Sequence, residues 1–100
     1  MELGIAEVEG FQIGYRRSGD GPPLVLLHGA WSDSREWRLQ LESLSDEFTV
    51  VAWDAPGCDR SSDPPETFSL ADYADVVAGL VRALGLDRPH LLGLSFGGSL

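Results

Sequence analysis

The sequence has no lysine, a single cysteine and no long apolar run, and each absence excludes a class of protein. With Cys58 alone, neither an intrachain disulfide nor a cysteine-based metal cluster can form. The longest apolar stretch, residues 24–27, is far shorter than the roughly 20 residues that a membrane span needs. The acidic first residues lack the basic and apolar parts of a secretory signal, so we expect a cytoplasmic protein.

Positive charge is also scarce. Arginine accounts for all 7 basic residues, against 16 acidic ones, and the formal net charge of the 100-residue chain is −9. Such a chain repels nucleic-acid phosphates and anionic lipid headgroups, so we expect neither nucleic-acid nor membrane partners. The hydrophobic fraction of 43% is that of a globular domain.

Five segments have the patterns of β-strands. They comprise residues 5–8, 11–15, 24–27, 48–53 and 89–94. The first two predict an antiparallel hairpin that turns at Glu9 and Gly10. The last three are continuous apolar runs, which are typical of parallel strands buried on both faces.

Two segments have helical spacing. Trp37, Leu41 and Leu44 predict a helix over about residues 33–46. A second helix is predicted to begin after Ser69, with Asp72 completing a capping box. Its apolar stripe consists of Leu70, Tyr73, Val77, Leu80, Val81 and Leu84, and Gly85 is its natural stop.

Strands that alternate with helices predict parallel βαβ units and a three-layer α/β fold, with the N-terminal hairpin antiparallel. We expect residues 1–100 to form one incomplete domain. The last apolar strand has no partner after it, and an open edge of this kind is an aggregation hazard. We therefore expect the N-terminal part of something larger, or half of a two-chain assembly.

The segment Gly93-Leu94-Ser95-Phe96-Gly97 matches the pattern G-x-S-x-G. After an apolar strand, this pattern predicts a sharp turn that projects Ser95 above the sheet, before a helix whose N-terminus favours negative charge. Gly93 and Gly97 leave room for that turn. The alternative is a glycine-rich turn that binds a phosphate or nothing.

A second motif, His28-Gly29-Ala30-Trp31, follows the strand at residues 24–27. Acyl transfer needs two backbone N–H donors aimed at one oxygen. Phe96 can supply one and Ala30 the other, with Trp31 as second choice. We expect the His28 side chain to brace the loop, and Trp31 to wall a pocket or to pack in the core.

A third motif lies between the strand at residues 48–53 and the second helix. Asp54, Pro56 and Gly57 suit a compact turn. Arg60 is expected to pair with a nearby carboxylate. Cys58 has no evident base beside it, so a half-buried thiol is favoured over a nucleophile.

In their order and spacing, the three motifs resemble the N-terminal half of the α/β-hydrolase fold family, in its serine-nucleophile, esterase- or lactonase-like branch. The motifs are the HG loop, the D-x-P-G-x-x-x-S loop and the G-x-S-x-G-G elbow. The resemblance implies that Ser95 is the nucleophile and that the N–H groups of Ala30 and Phe96 form the oxyanion hole. His28, Gly29, Trp31 and Asp54 would support the pocket or its loops.

One position departs from the family pattern. Relatives usually carry glycine where this chain has Asp59, although Asp tolerates a left-handed backbone better than most residues. No metal and no cofactor are implied, because the sequence lacks the corresponding motifs.

The family's acid and catalytic histidine follow later strands, and the sequence given ends five residues after Ser95. His90 lies about 16 Å from Ser95 along an extended strand. His28 is nearer but lacks an evident carboxylate to orient it. A serine without a base is a poor nucleophile, so we expect this chain alone to be inactive or nearly so.

The resemblance thus implies a hydrolase of a small apolar ester, lactone or related carbonyl compound, acting through an acyl-enzyme. Ser95 disfavours the epoxide hydrolase and haloalkane dehalogenase branches, which carry Asp there. Alternatives are a cofactor-free haloperoxidase or carbon–carbon bond hydrolase, and a non-catalytic binding relative or inactive fragment. The expected partners are the substrate and the missing C-terminal half or a complementing chain.

Overall fold

The computed structural model describes all 100 residues as a five-stranded sheet with helices on both faces. The strands are β1 (Glu2–Val8), β2 (Phe11–Ser18), β3 (Pro23–Leu27), β4 (Thr49–Trp53) and β5 (His90–Gly93). A 3₁₀ turn (Ser34–Trp37) leads into α1 (Arg38–Ser43), α2 is Leu70–Ala83, and a last 3₁₀ turn is Gly97–Ser99. No helix is long and apolar enough to cross a membrane.

The spatial order of the strands is β1-β2-β4-β3-β5. The predicted hairpin of β1 and β2 is confirmed, and β2 also pairs antiparallel with β4. β3 pairs in parallel with both β4 and β5. The carboxyl ends of β3, β4 and β5 therefore lie at one edge of the sheet, and the three motifs begin there.

Each face of the sheet packs against one helix, which confirms the three-layer prediction. On one face, Leu26 and Ala52 contact Trp37 and Leu41. On the other face, a larger cluster joins the sheet to α2. Its buried members are Val8, Ile13, Val25, Leu27, Trp53, Ala55, Val76, Val77 and Leu80.

The first helix is shorter than predicted. The Asp33 side chain accepts from the N–H of Arg35 and starts a 3₁₀ turn, and the last residue of this turn, Trp37, has φ −97° and ψ 18° and is the N-cap of α1. Only Arg38–Ser43 is α-helical. Trp37 and Leu41, which carry the predicted helical spacing, are nevertheless both buried against the sheet.

The second helix begins and ends as predicted. Ser69 and Asp72 form a reciprocal capping box, and Gly85 adopts φ +66° after the last turn. The predicted stripe is wrong at Leu70, which is exposed, whereas Val76 is buried. The helix approaches β1 so closely that a Cβ on Gly79 would lie 2.5 Å from Val8, and this contact fixes which face is buried.

The strand β5 pairs with β3 on one side only. Its leucines Leu91 and Leu92, and the following Leu94, are about half exposed, at 54%, 45% and 50%. The open apolar edge that the sequence predicted is therefore present within these residues.

The capping box of α2 gives a first testable expectation. Replacing Ser69 with Ala leaves the N–H of Asp72 without its acceptor and should lower the free energy of unfolding by about 1 kcal/mol. Ser69→Asn should retain most of the stability, because Asn is as good a cap. Urea denaturation followed by circular dichroism measures both variants, and equal stability of Ser69→Ala and the parent would contradict the assignment.

Candidate active site

Ser95 lies at a sharp turn immediately after β5. Its φ is +55°, in the left-handed region that a non-glycine residue adopts only at a cost in free energy. The N–H of Leu94 still donates to the carbonyl of Leu27 at 3.0 Å, and the N–H of Gly97 then donates back to Leu94 at 3.0 Å. The chain thus reverses within a few residues and leaves Ser95 exposed above the strand ends.

Two glycines make this turn possible. A Cβ on Gly97 would overlap the carbonyl groups of Leu27 and His28, and one on Gly93 would lie 2.5 Å from the backbone of Gly97. No larger residue fits either position without moving main chain. The turn therefore packs directly against the backbone at the end of β3.

The HG loop lies directly beside Ser95. A Cβ on Gly29 would be 3.6 Å from the Cβ of Ser95 and 3.4 Å from the carbonyl oxygen of Leu94. The backbone N–H groups of Ala30 and Phe96 donate to no acceptor within the protein. Both residues line the same pocket. Two unpaired donors beside a strained serine are the arrangement that an oxyanion hole requires.

The His28 ring joins the ends of two strands. It is 1% exposed, and its Nε2 accepts the N–H of Ala55 at 3.0 Å. Its Nδ1 therefore carries the proton and donates to the carbonyl of Gly29 at 2.7 Å. Because neither nitrogen has a free lone pair, this histidine is placed to brace the loop and not to accept a proton from Ser95.

Trp31 is fully exposed and has a left-handed backbone, with φ +62°. The alternative that it packs in the core is wrong. It lines a pocket of about 400 Å³ together with Tyr73 and Phe96. The rings of Tyr73 and Phe96 meet edge to face, with centroids 5.2 Å apart. The spacing of Tyr73 predicts a place in the apolar stripe of α2, and only the fold brings it to this pocket.

The loop after β4 is held by hydrogen bonds to β2. Ser61 donates to the carbonyl of Asp54 and accepts from the N–H of Gly14. The buried Asp54 side chain accepts from the N–H of Ser34 at 2.7 Å. Asp54 therefore ties this loop to the 3₁₀ turn before α1, which follows the HG loop in the chain.

Three further residues of this loop have sequence predictions that the structure tests. Asp59 adopts φ +42°, so it takes the left-handed backbone of the usual glycine. The predicted ion pair of Arg60 is wrong, because its guanidinium donates to the carbonyl of Tyr15 instead. Burial, with the charges of nearby carboxylates, raises the pKa of Cys58, and a neutral thiol is a poor nucleophile.

A family model described as the alpha/beta hydrolase family matches residues 24–100. The chain belongs to the α/β-hydrolase family. It is 40% identical over 96 residues to a soluble epoxide hydrolase of Corynebacterium, covering 95% of this chain and 33% of that protein. It is 38% identical over 96 residues to the dihydrolipoyllysine-residue acetyltransferase component of the acetoin cleaving system of Cupriavidus necator, covering 95% and 26%.

Solved structures agree with this membership. The crystal structure of E-2-(acetamidomethylene)succinate hydrolase superposes with a TM-score of 0.93 at 32% identity, covering 98% of this chain and 37% of that one. The chain thus spans about a third of the length of the relatives it matches. Their activities differ, so they identify the family and not a substrate.

In this α/β-hydrolase chain, three carboxylates come together. Oxygen atoms of Asp33, Asp54 and Asp59 lie within 4.8 Å of one another. Arg35 donates to both carboxylate oxygens of Asp33, at 2.9 and 2.7 Å, and lowers the pKa of Asp33 to about 2. Carboxylates are ligands that hard cations prefer, but here a guanidinium already occupies Asp33. From the sequence alone, Asp33 only marks the start of the predicted helix, and nothing in the spacing predicts its approach to Asp54 and Asp59.

The role of His28 as a brace is testable. His28→Ala leaves a buried donor and a buried acceptor unpaired and should lower the free energy of unfolding by about 1–3 kcal/mol. The exposed His90 provides the control, since His90→Ala should change stability by less than about 0.5 kcal/mol. Equal effects of the two substitutions in urea denaturation would rule out the bracing role.

The pKa of Asp33 predicts a pH dependence. Because the folded pKa lies below the ordinary value of 3.8, the contribution of Asp33 to stability is complete above about pH 4 and is lost as pH falls toward 2. Asn retains the cap without the charge, so Asp33→Asn should lose less stability than the parent between pH 5 and pH 2.5. Asp87→Asn is the control, and parallel pH profiles for Asp33→Asn and the parent would contradict the assignment.

Proposed function

We propose that Ser95 is the nucleophile of a cytoplasmic hydrolase that acts on small esters, lactones or related carbonyl compounds through an acyl-enzyme. One observation carries the proposal. The strained turn at Ser95 lies beside two backbone N–H groups, those of Ala30 and Phe96, that have no acceptor in the protein. Donors that no protein acceptor occupies, held beside a serine, are available to a developing oxyanion.

The reaction follows from these positions. Ser95 Oγ attacks the carbonyl carbon and gives its proton to a base, while the carbonyl oxygen becomes an oxyanion that accepts hydrogen bonds from Ala30 and Phe96. Collapse of this intermediate breaks the bond to the leaving oxygen, which takes the proton from the base. Water then attacks the acyl-serine in the same way, releasing the acid and regenerating the hydroxyl.

The base must come from outside residues 1–100. Both nitrogens of His28 are engaged, and His90 begins the strand whose far end leads to Ser95. We therefore propose that a segment of the native protein or a complementing chain supplies it, and that these residues alone retain at most weak catalysis by the oxyanion hole. The acidic charge of the chain supports a function without nucleic-acid or membrane partners.

A serine-reactive phosphonate tests the nucleophile in the native protein. We expect covalent labelling, followed by mass spectrometry, to occur at Ser95 and to be lost in Ser95→Ala. Ser99→Ala is the matched control, because Ser99 lies in the adjoining turn and should not affect labelling. Unlabelled native protein of normal fold, or labelling that survives Ser95→Ala, would refute the proposal.

A further inference from the structure

The two backbone N–H groups beside Ser95 are held in different ways. Phe96 belongs to the turn itself, where its carbonyl accepts the N–H of Ser99 at 3.0 Å and the carbonyl of Ser95 accepts that of Gly98 at 3.0 Å. Ala30, in contrast, begins a stretch, residues 30–32, whose backbone groups make no hydrogen bond within the protein. The direction of the Ala30 N–H therefore depends on the residue before it, with which it shares a peptide group.

That residue, Gly29, is held through both of its backbone groups. Its carbonyl accepts a hydrogen bond from His28 Nδ1 at 2.7 Å, and its N–H donates to Glu36 Oε2 at 3.3 Å. The carbonyl of Gly29 and the N–H of Ala30 belong to one trans peptide group, so they point in opposite directions. A carbonyl that is held toward the His28 ring thus directs the Ala30 N–H away from that ring.

Both hydrogen bonds are needed because glycine has no side chain to restrict its backbone. The bond to His28 fixes the peptide group after Gly29, and the bond to Glu36 fixes the peptide group before it. Together they restrict both backbone torsion angles of this residue. A donor that is oriented in advance stabilises an oxyanion well, because nothing has to reorganise when the charge develops.

The backbone of Glu36 is itself held in place. It lies in the 3₁₀ turn Ser34–Trp37, in which Ser34 is 0% exposed and Trp37 is 7% exposed. The N–H of Ser34 donates to the buried carboxylate of Asp54 at 2.7 Å. From this anchored turn, the Glu36 side chain reaches back to the HG loop.

We propose that Glu36 is a positioning residue for the reaction at Ser95. By accepting the N–H of Gly29, opposite the bond from His28, its carboxylate fixes the direction of the oxyanion donor Ala30. A Cβ on Gly29 would lie 3.9 Å from Glu36 Oε1 and 3.6 Å from the Cβ of Ser95, so the contact is made directly beside the nucleophile. This inference rests on the proposed function and adds a residue to the same site.

Two substitutions of Glu36 separate the hydrogen bond from the charge. Glu36→Gln removes the charge and keeps an oxygen that can accept the Gly29 N–H, so kcat for 4-nitrophenyl acetate in the native protein should stay within about three-fold. Glu36→Asp keeps the charge on a side chain one methylene too short, and should lower kcat about ten- to hundred-fold. KM should change little, because the donor acts in the transition state. The opposite order of the two variants would overturn the inference.

The same substitutions of Glu42 are the matched controls. Glu42 is an exposed acid on α1, away from the HG loop, so Glu42→Gln and Glu42→Asp should both leave kcat unchanged. Rates are normalised to folded protein measured by circular dichroism. A loss of kcat in Glu36→Asp that disappears on this normalisation, or that Glu42→Asp reproduces, would overturn the inference.

Amide hydrogen exchange tests the contact without turnover. In nuclear magnetic resonance spectra of the native protein, we expect the Gly29 N–H to exchange at least ten-fold faster in Glu36→Asp than in the parent or Glu36→Gln. The N–H of Leu94, which donates to Leu27, is the internal control and should not change. Equal exchange of Gly29 in all three proteins would overturn the inference.

The two measurements together distinguish this inference from the proposed function. Ester hydrolysis that is equally fast in the parent and in Glu36→Asp would overturn the inference and leave the hydrolase intact. Failure of the parent to hydrolyse the ester, together with no labelling of Ser95, would overturn the hydrolase. The exchange rates would then still decide whether Glu36 holds Gly29.

Discussion

The candidate site depends on one steric contact, between the turn after β5 and the end of β3. Gly97 packs against the carbonyl groups of Leu27 and His28, with no space for a side chain. This contact brings Ser95 beside Gly29 and places the N–H groups of Ala30 and Phe96 at the same pocket. Close packing of this kind transmits any backbone shift, so the donors and the serine hold their positions together.

Two buried side chains that the proposed reaction does not use hold the HG loop and the loop after β4 in place. His28 joins Gly29 to Ala55, and Asp54 joins the next loop to Ser34. Both side chains are buried and neither faces Ser95 as a base. The groups proposed for the reaction are therefore backbone donors and one hydroxyl, while the buried His28 and Asp54 position loops.

Much of the site was predictable because its chemistry depends on backbone geometry that few residues permit. Gly93 and Gly97 around a serine, after an apolar run, required a turn that only small residues allow. The predictions were wrong where a side chain could contact more than one partner or could lie on more than one face of its helix. Arg60 bonds to a carbonyl instead of a carboxylate, and Leu70 is exposed while Val76 is buried. Such choices depend on distances between segments that are remote in sequence.

The sequence by itself determined the alternation of strands and helices, the caps of α2 and the positions of the three motifs, because periodicity and glycine placement are local properties. Only the tertiary structure decided the strand order, in which β3 lies between β4 and β5, and with it the meeting of Gly29 and Ser95. It also brought Tyr73, which lies on α2, to the pocket beside Ser95, and it placed Asp33, Asp54 and Asp59 within 4.8 Å of one another. These juxtapositions follow from how distant segments pack, and no local pattern in the chain encodes them.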